Sequence, residues 1–203
     1  VEGTLPDVIR RNAMTLLIRP DKNGIEWKAL NDASAETRQT PLRLMLSLGG
    51  IASPWRWHVD SFYAMNFPQG RGFPSDLPLP PEADWSQYPL ADVRAFSIDD
   101  SDTTEVDDAA SVVHLEGTRV GIHIAAPALG ILHDDPLDKV ARARMSTVYA
   151  PGLKTTMLPD PWIKAFSLDE GRAVPCLSLY VTVDDENFSV EKTETRLERV
   201  SVT

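Results

Sequence analysis

The chain has 203 residues, with 20 Lys and Arg against 30 Asp and Glu, for a net charge of −10. That length allows one large domain or two small ones, and a hydrophobic share of 42% with 25% charged residues is ordinary for a soluble globular protein. The acidic balance argues against sequence-independent wrapping of nucleic acid. No run approaches the roughly 18 uncharged apolar residues of a membrane span, and a lone cysteine, Cys176, excludes an internal disulfide and fits a reducing cytoplasm. The charge is uneven: residues 1–75 hold 9 basic and 7 acidic residues, whereas residues 76–203 hold 11 and 23. A concentrated acidic cluster attracts divalent cations, so the global sign says little about a polyanionic substrate.

The first part reads as helical. Apolar residues at Val8, Ile9, Ala13, Leu16 and Leu17 recur at helical spacing between Asp7 and Ile18, and Pro20 ends that helix. A second helix is expected over Ile25–Ala35. Thr40-Pro41 and Ser53-Pro54 each pair a capping hydroxyl with a proline at the first helical position, which predicts helices to Leu48, stopped by Gly49-Gly50, and over Trp55–Asn66. Several short helices with tight connections suggest a helix-turn-helix-like module over residues 1–75. Trp55, Arg56 and Trp57 offer either a stacking surface for nucleic acid or core packing. Residues 67–89 contain six prolines and two glycines and cannot propagate a helix or a central strand. Residues 76–90 therefore read as a semi-rigid linker.

From Val93 the pattern changes to strands, expected over 93–98, 109–115, 119–125 and 177–183, with a further strand or two over 189–202 and one helix over 134–145. The fold class is α+β: a helical module followed by a mixed domain with antiparallel strands over 91–203. Cys176 lies in an apolar run and reads as a small core residue. His114 and His123 fall within strands and read as packed, hydrogen-bonded residues more than as metal ligands.

The chemistry concentrates in Asp99-Asp100-Ser101-Asp102-Thr103-Thr104-Glu105-Val106-Asp107-Asp108, six carboxylates within ten residues between two apolar strands. Carboxylates this close repel one another unless a cation sits among them, and Mg²⁺ or Mn²⁺ prefers such oxygen ligands. A solvated acidic turn is the bland alternative. An EF-hand fails, because its sixth and twelfth positions, counted from Asp100, are Glu105 and Ser111 instead of glycine and glutamate. Asp100-Ser101-Asp102-Thr103-Thr104 fits the short D-x-D-x-T pattern of haloacid-dehalogenase-type phosphatases, although no parallel-sheet pattern surrounds it.

A longer match is more specific. Asp99, Glu105, Asp107 and Asp108, followed by the small-residue strand Ala109-Ala110-Ser111, resemble the D-x-x-x-x-x-D-x-D-D signature of the ribonuclease II (RNB) catalytic domain. Val120 to Ala125, Leu137-Asp138-Lys139 with Ala141-Arg142, Thr147 to Gly152, Met157-Leu158-Pro159, Ser167-Leu168 and the strand from Pro175 then resemble later family segments in the same order, covering about residues 91–203. The helices resemble the N-terminal module of some bacterial members.

The resemblance implies a hydrolytic, divalent-metal-dependent 3′→5′ exoribonuclease that acts on single-stranded RNA and releases nucleoside 5′-monophosphates. It assigns Asp99, Glu105, Asp107 and Asp108 to metal, with Asp99, Asp107 and Asp108 catalytic, and places Tyr149 where an aromatic stacks on a base near the RNA 3′ end. Two divalent ions suit an in-line phosphodiester displacement. Glu105 stands where the family usually has aspartate, and Ala126 where it often has one. The family's later arginine and glutamate have no counterpart, so the chain reads as a piece of a longer protein whose remaining C-terminal part completes the site. The other readings are a D-x-D-x-T phosphatase and a non-catalytic RNA-binding relative.

Overall fold

A computed structural model describes residues 3–99, 103, 105–115 and 117–203. The chain divides into two compact units, Val1–Gly72 and Phe73–Thr203. No helix among the described residues is long and apolar enough to cross a membrane.

The first unit contains α1 (Asp7–Arg11), α2 (Ala13–Ile18), α3 (Ile25–Thr37), α4 (Pro41–Ser47) and α5 (Pro54–Asn66). The single helix expected over 7–18 is broken at Asn12, whose φ/ψ of −100°/10° leaves the helical region. Asparagine is a weak helix former that competes with the helix for local hydrogen bonds. The two Pro-led helices start as their caps dictate: Thr40 and Ser53 accept hydrogen bonds from the backbone N–H of Arg43 and Arg56 at 3.3 and 3.1 Å. Leu5, Ile9, Ala13, Leu16, Leu30, Leu44, Met45 and Ile51 form the core, with Trp57 packed against it. Trp55 stays 46% exposed, and Arg56 pairs with Asp60 at 2.7 Å, so the two tryptophans part company, one towards the core and one towards solvent.

The second unit is built on a five-stranded antiparallel sheet: β1 (Ala95–Phe96), β2 (Asp108–Leu115), β3 (Gly117–Ala125), β6 (Ala173–Val183) and β7 (Val190–Ser201), in that spatial order. The sheet curls round on itself, because Ala95 pairs with Ser111 on one side and is bridged to Val202 on the other. Between β3 and β6 come α6 (Pro136–Arg144), the two-stranded hairpin β4 (Val148–Ala150) and β5 (Leu153–Thr155), and α7 (Asp160–Phe166). The hairpin and α7 are missing from the sequence expectation, since three-residue strands carry too little periodicity to register.

Residues 76–90 correct the linker expectation. Leu77 and Trp85 pack against the buried cluster of Leu137, Trp162 and Phe166, the Trp162 indole N–H donates to the Pro78 carbonyl at 2.8 Å, and Arg199 donates to the Tyr88 carbonyl at 3.0 Å. Proline density rules out regular structure there, but the apolar and aromatic residues between the prolines fasten the segment to the second unit.

The sheet's concave side carries a polar chain. His123 is fully buried between Ser111, 2.9 Å from its Nε2, and Ser178, 2.8 Å from its Nδ1, and meets the Tyr180 ring edge-on. Tyr180 in turn donates to Glu198, itself 2% exposed, at 2.6 Å. Gly121 makes room for this network: a Cβ there would lie 2.4 Å from Ser111 Oγ and 2.8 Å from His123 Nε2. Burial holds the His123 pKa below its ordinary 6.5, while Glu198 pulls the other way. The unfolded chain therefore binds the proton more readily. Stability should be full above pH 6.5 and fall as the pH drops below it. Urea denaturation across that range should show this slope, and His123→Gln should flatten it.

Candidate metal and RNA site

Three backbone hydrogen bonds fix the end of the acidic run. The Val106 N–H donates to Ser167 Oγ at 3.2 Å, the Val106 carbonyl accepts from Leu168 N at 2.8 Å, and the Asp107 carbonyl accepts from Ala125 N at 2.9 Å. Ser167 also donates to Asp169 at 2.7 Å, which orients its hydroxyl. The backbone at Val106 and Asp107 is thus clamped between the end of β3 and the segment after α7, while the Asp107 and Asp108 side chains are exposed, Asp108 opening β2. Asp99 is exposed in the coil after β1. Among the described residues, Asp99, Asp107 and Asp108 have no ion pair or side-chain hydrogen bond. Asp100 and Asp102, which the phosphatase reading needs, lie outside the described residues.

Glu105 behaves differently. Its half-buried carboxylate pairs with Lys154 of β5 at 2.8 Å, and this contact raises the lysine pKa. Lys154 is opposite Tyr149 in the hairpin register, with its ammonium 5.5 Å from the ring centroid, and Tyr149 is 70% exposed. One lysine therefore ties the acidic run to the aromatic residue, a link that sequence reasoning missed because nothing in the spacing of Glu105 and Lys154 announces it. Lys154→Met should free Glu105 and tighten Mn²⁺ binding by the run severalfold, as read by paramagnetic broadening. Unchanged affinity would show that the pair does not compete with a cation.

The donor set is of the kind a hard divalent ion takes, since Asp99, Asp107 and Asp108 offer carboxylate oxygens with no internal cation among the described residues. They do not converge as a preformed cage, however. Among the described residues, the set of three potential ligands with donor atoms within 4.8 Å is His133, Asp134 and Asp138. That set already has its cation: the Arg142 guanidinium bridges Asp134 and Asp138. It belongs to the start of α6, where Asp135 caps the Asp138 N–H and Asp138 accepts from Asp134 N, each at 2.7 Å.

Beside the clamp is a largely apolar cavity of about 430 Å³, with Glu105, Asp107, Ile124, Met157, Trp162 and Phe166 among its lining residues. His114 Nδ1 bonds Thr118 at 2.9 Å on an exposed strand, and both ring nitrogens of His123 are taken up in its polar chain. Burial pushes the Cys176 thiol up to about 12, as expected of an inert core cysteine.

Residues 87–200 match the RNB domain, more than half of the chain. The chain belongs to the RNB family. Exoribonuclease 2 of Aeromonas hydrophila is 31% identical over 133 residues, spanning 63% of this chain and 20% of that protein. Among solved structures, yeast Ssd1, a pseudonuclease, superposes with a TM-score of 0.63 at 20% identity over 75% of this chain and 21% of its own. Mycoplasma genitalium RNase R in complex with ribose-methylated single-stranded RNA gives 0.60 at 15% identity over 72% and 24%. The RNB chain described here thus spans about a fifth of the length of the relatives it matches.

Proposed function

We propose that this RNB chain forms part of a divalent-metal-dependent exoribonuclease that shortens single-stranded RNA from its 3′ end and releases nucleoside 5′-monophosphates. The observation that carries the reading is the rigidly clamped Val106-Asp107 backbone, which presents exposed, unpaired carboxylates at the mouth of β2 in a family whose named relatives include exoribonucleases. Asp99, Asp107 and Asp108 would hold Mg²⁺ or Mn²⁺, which supplies charge stabilisation and an activated water when bound. Glu105 fixes Lys154, and through it the hairpin that carries Tyr149, whose exposed ring offers a stacking face that tolerates any base. The later arginine and glutamate of the family pattern would come from further polypeptide of the same protein, and the setting is cytoplasmic.

Two observations favour a second reading, a non-catalytic RNA-binding relative: Lys154 already neutralises Glu105, and a pseudonuclease shares the fold. The phosphatase reading loses its support, because every ladder between the sheet's strands is antiparallel and the chain belongs to a different family. The test is incubation of the intact natural protein with 5′-labelled single-stranded RNA and Mg²⁺. A shortening ladder that disappears with chelator supports the exonuclease. RNA binding that persists in chelator without any shortening supports the second reading and sinks the first.

A further inference from the structure

At the end of the curled sheet remote from the acidic run lies a second cavity, of about 220 Å³, lined by Arg119, Tyr180, Thr182, Lys192, Glu194 and Arg196. The sheet register assembles it. Arg119 of β3 is opposite Thr182 of β6, which is opposite Lys192 of β7, so three donors form one row across three neighbouring strands. Alternation brings Tyr180, Glu194 and Arg196 to the same side. Asp108 pairs with Ile124 at one end of the β2–β3 ladder and Arg119 with Val113 towards the other, a separation of about 17 Å along the strand at ~3.4 Å per residue. The two sites are distinct.

The charges in this cavity do not balance internally. Glu194 accepts from Arg196 at 2.8 Å and faces Arg119 at 3.5 Å, so one carboxylate serves two guanidinium groups. Arg119 also covers the Tyr180 ring, 3.8 Å from its centroid, which fixes the plane of its fork. Lys192 is exposed and makes no hydrogen bond or ion pair among the described residues, and neither does the Thr182 hydroxyl. Three cations and one carboxylate line this concavity, and counting the buried Glu198 that accepts from Tyr180 and acts on Arg196, an excess of one positive charge remains in a chain whose net charge is −10. Gathering like charges this way is unfavourable unless an anion joins them.

We propose that this cavity binds a phosphate oxyanion. Donors arriving from three adjacent strands suit an anion with several acceptor oxygens better than a two-oxygen carboxylate, and Arg and Lys are the side chains that make charge-assisted bonds to phosphate. The ligand chemistry is shared by the backbone diester of RNA and by the monoester of a nucleotide or free phosphate. The site stands independently of the exoribonuclease reading: a protein unable to cleave RNA would still carry it.

The experiment is an NMR titration of the protein with inorganic phosphate at ionic strength held constant with chloride. Saturable shifts of the Arg119 and Arg196 side-chain N–H signals are expected. Lys192→Ala should weaken binding about tenfold, the effect of losing one hydrogen bond to a charged group, and Glu194→Gln should tighten it. Lys192 is exposed, so an unchanged melting temperature separates lost binding from lost fold, and Thr182→Val supplies a second, uncharged variant with a smaller loss. Competition then identifies the source: displacement of phosphate by an oligouridylate with a 5′-hydroxyl assigns the backbone diester, and displacement by uridine monophosphate alone assigns the monoester. Shifts that fail to saturate, or an affinity indifferent to Lys192→Ala, overturn the proposal.

Discussion

Asp107→Asn and Asp108→Asn should each reduce RNA shortening by the intact protein by about 100-fold or more, equivalent to about 2.7 kcal/mol of transition-state stabilisation. Both side chains are exposed, and neither makes an internal ion pair among the described residues, so the isosteric amide removes charge without disturbing packing. What holds this stretch in place is the main chain, through Ser167, Leu168 and Ala125, and those bonds survive the substitution. The melting temperature should therefore stay where it is while activity collapses. Asp100→Asn should matter much less. If Asp100 proved the more sensitive position, the carboxylates would be working in the phosphatase arrangement, whose aspartates begin there.

Trp162→Ala should cost about 3–5 kcal/mol, a large share of the roughly 5–15 kcal/mol that holds a domain together. Trp162 is 1% exposed, stacks on Phe166 with ring planes 5° apart, and shares a cluster with Leu77, Trp85 and Leu137. Its indole N–H also satisfies the Pro78 carbonyl. Truncation leaves a cavity, an orphaned acceptor and a proline-rich strap with its central fastening gone. Urea denaturation should show the lowered midpoint, and limited proteolysis should cut within residues 77–85 before the sheet. Equal protection of that segment in both proteins would mean that the strap is held by other contacts.

Helices with a capping hydroxyl followed by proline were readable from the chain because cap and first turn are encoded within four residues, as at Thr40-Pro41 and Ser53-Pro54. The long strands β2, β3 and β6 were also visible, since apolar runs of that length bounded by turns leave little choice, whereas β7 is mostly charged and polar. What escaped is nonlocal. The clamp on Val106 depends on Ser167, 61 residues away, and the Trp162 bond on Pro78, 84 residues away. The Lys154–Glu105 pair belongs to the same class: a short hairpin brings a lysine to a half-buried carboxylate, and neither residue looks unusual in sequence. The acidic run itself was conspicuous, but its division into exposed Asp107 and Asp108 and a neutralised Glu105 requires the fold.

The curled sheet has one more consequence, for how the protein handles in solution. Its concave side includes the polar residues Ser111, His123, Ser178 and Glu198, whereas its convex side shows Phe96, Val112, Ile122, Ile124, Leu177 and Leu179, each between 38% and 52% exposed. That inner side also holds the apolar cluster of Ala95, Ala109, Val174, Cys176, Val200 and Val202, so the polar chain shares an apolar core while the outer face stays apolar as well. A contiguous greasy wall of this kind draws hydrophobic dyes and like surfaces, so at millimolar concentration the isolated chain should stick to itself in a salt-promoted, detergent-reversible way. Lysine at Ile122 and Leu179 should abolish that stickiness without touching the hydrogen-bonded filling on the other side.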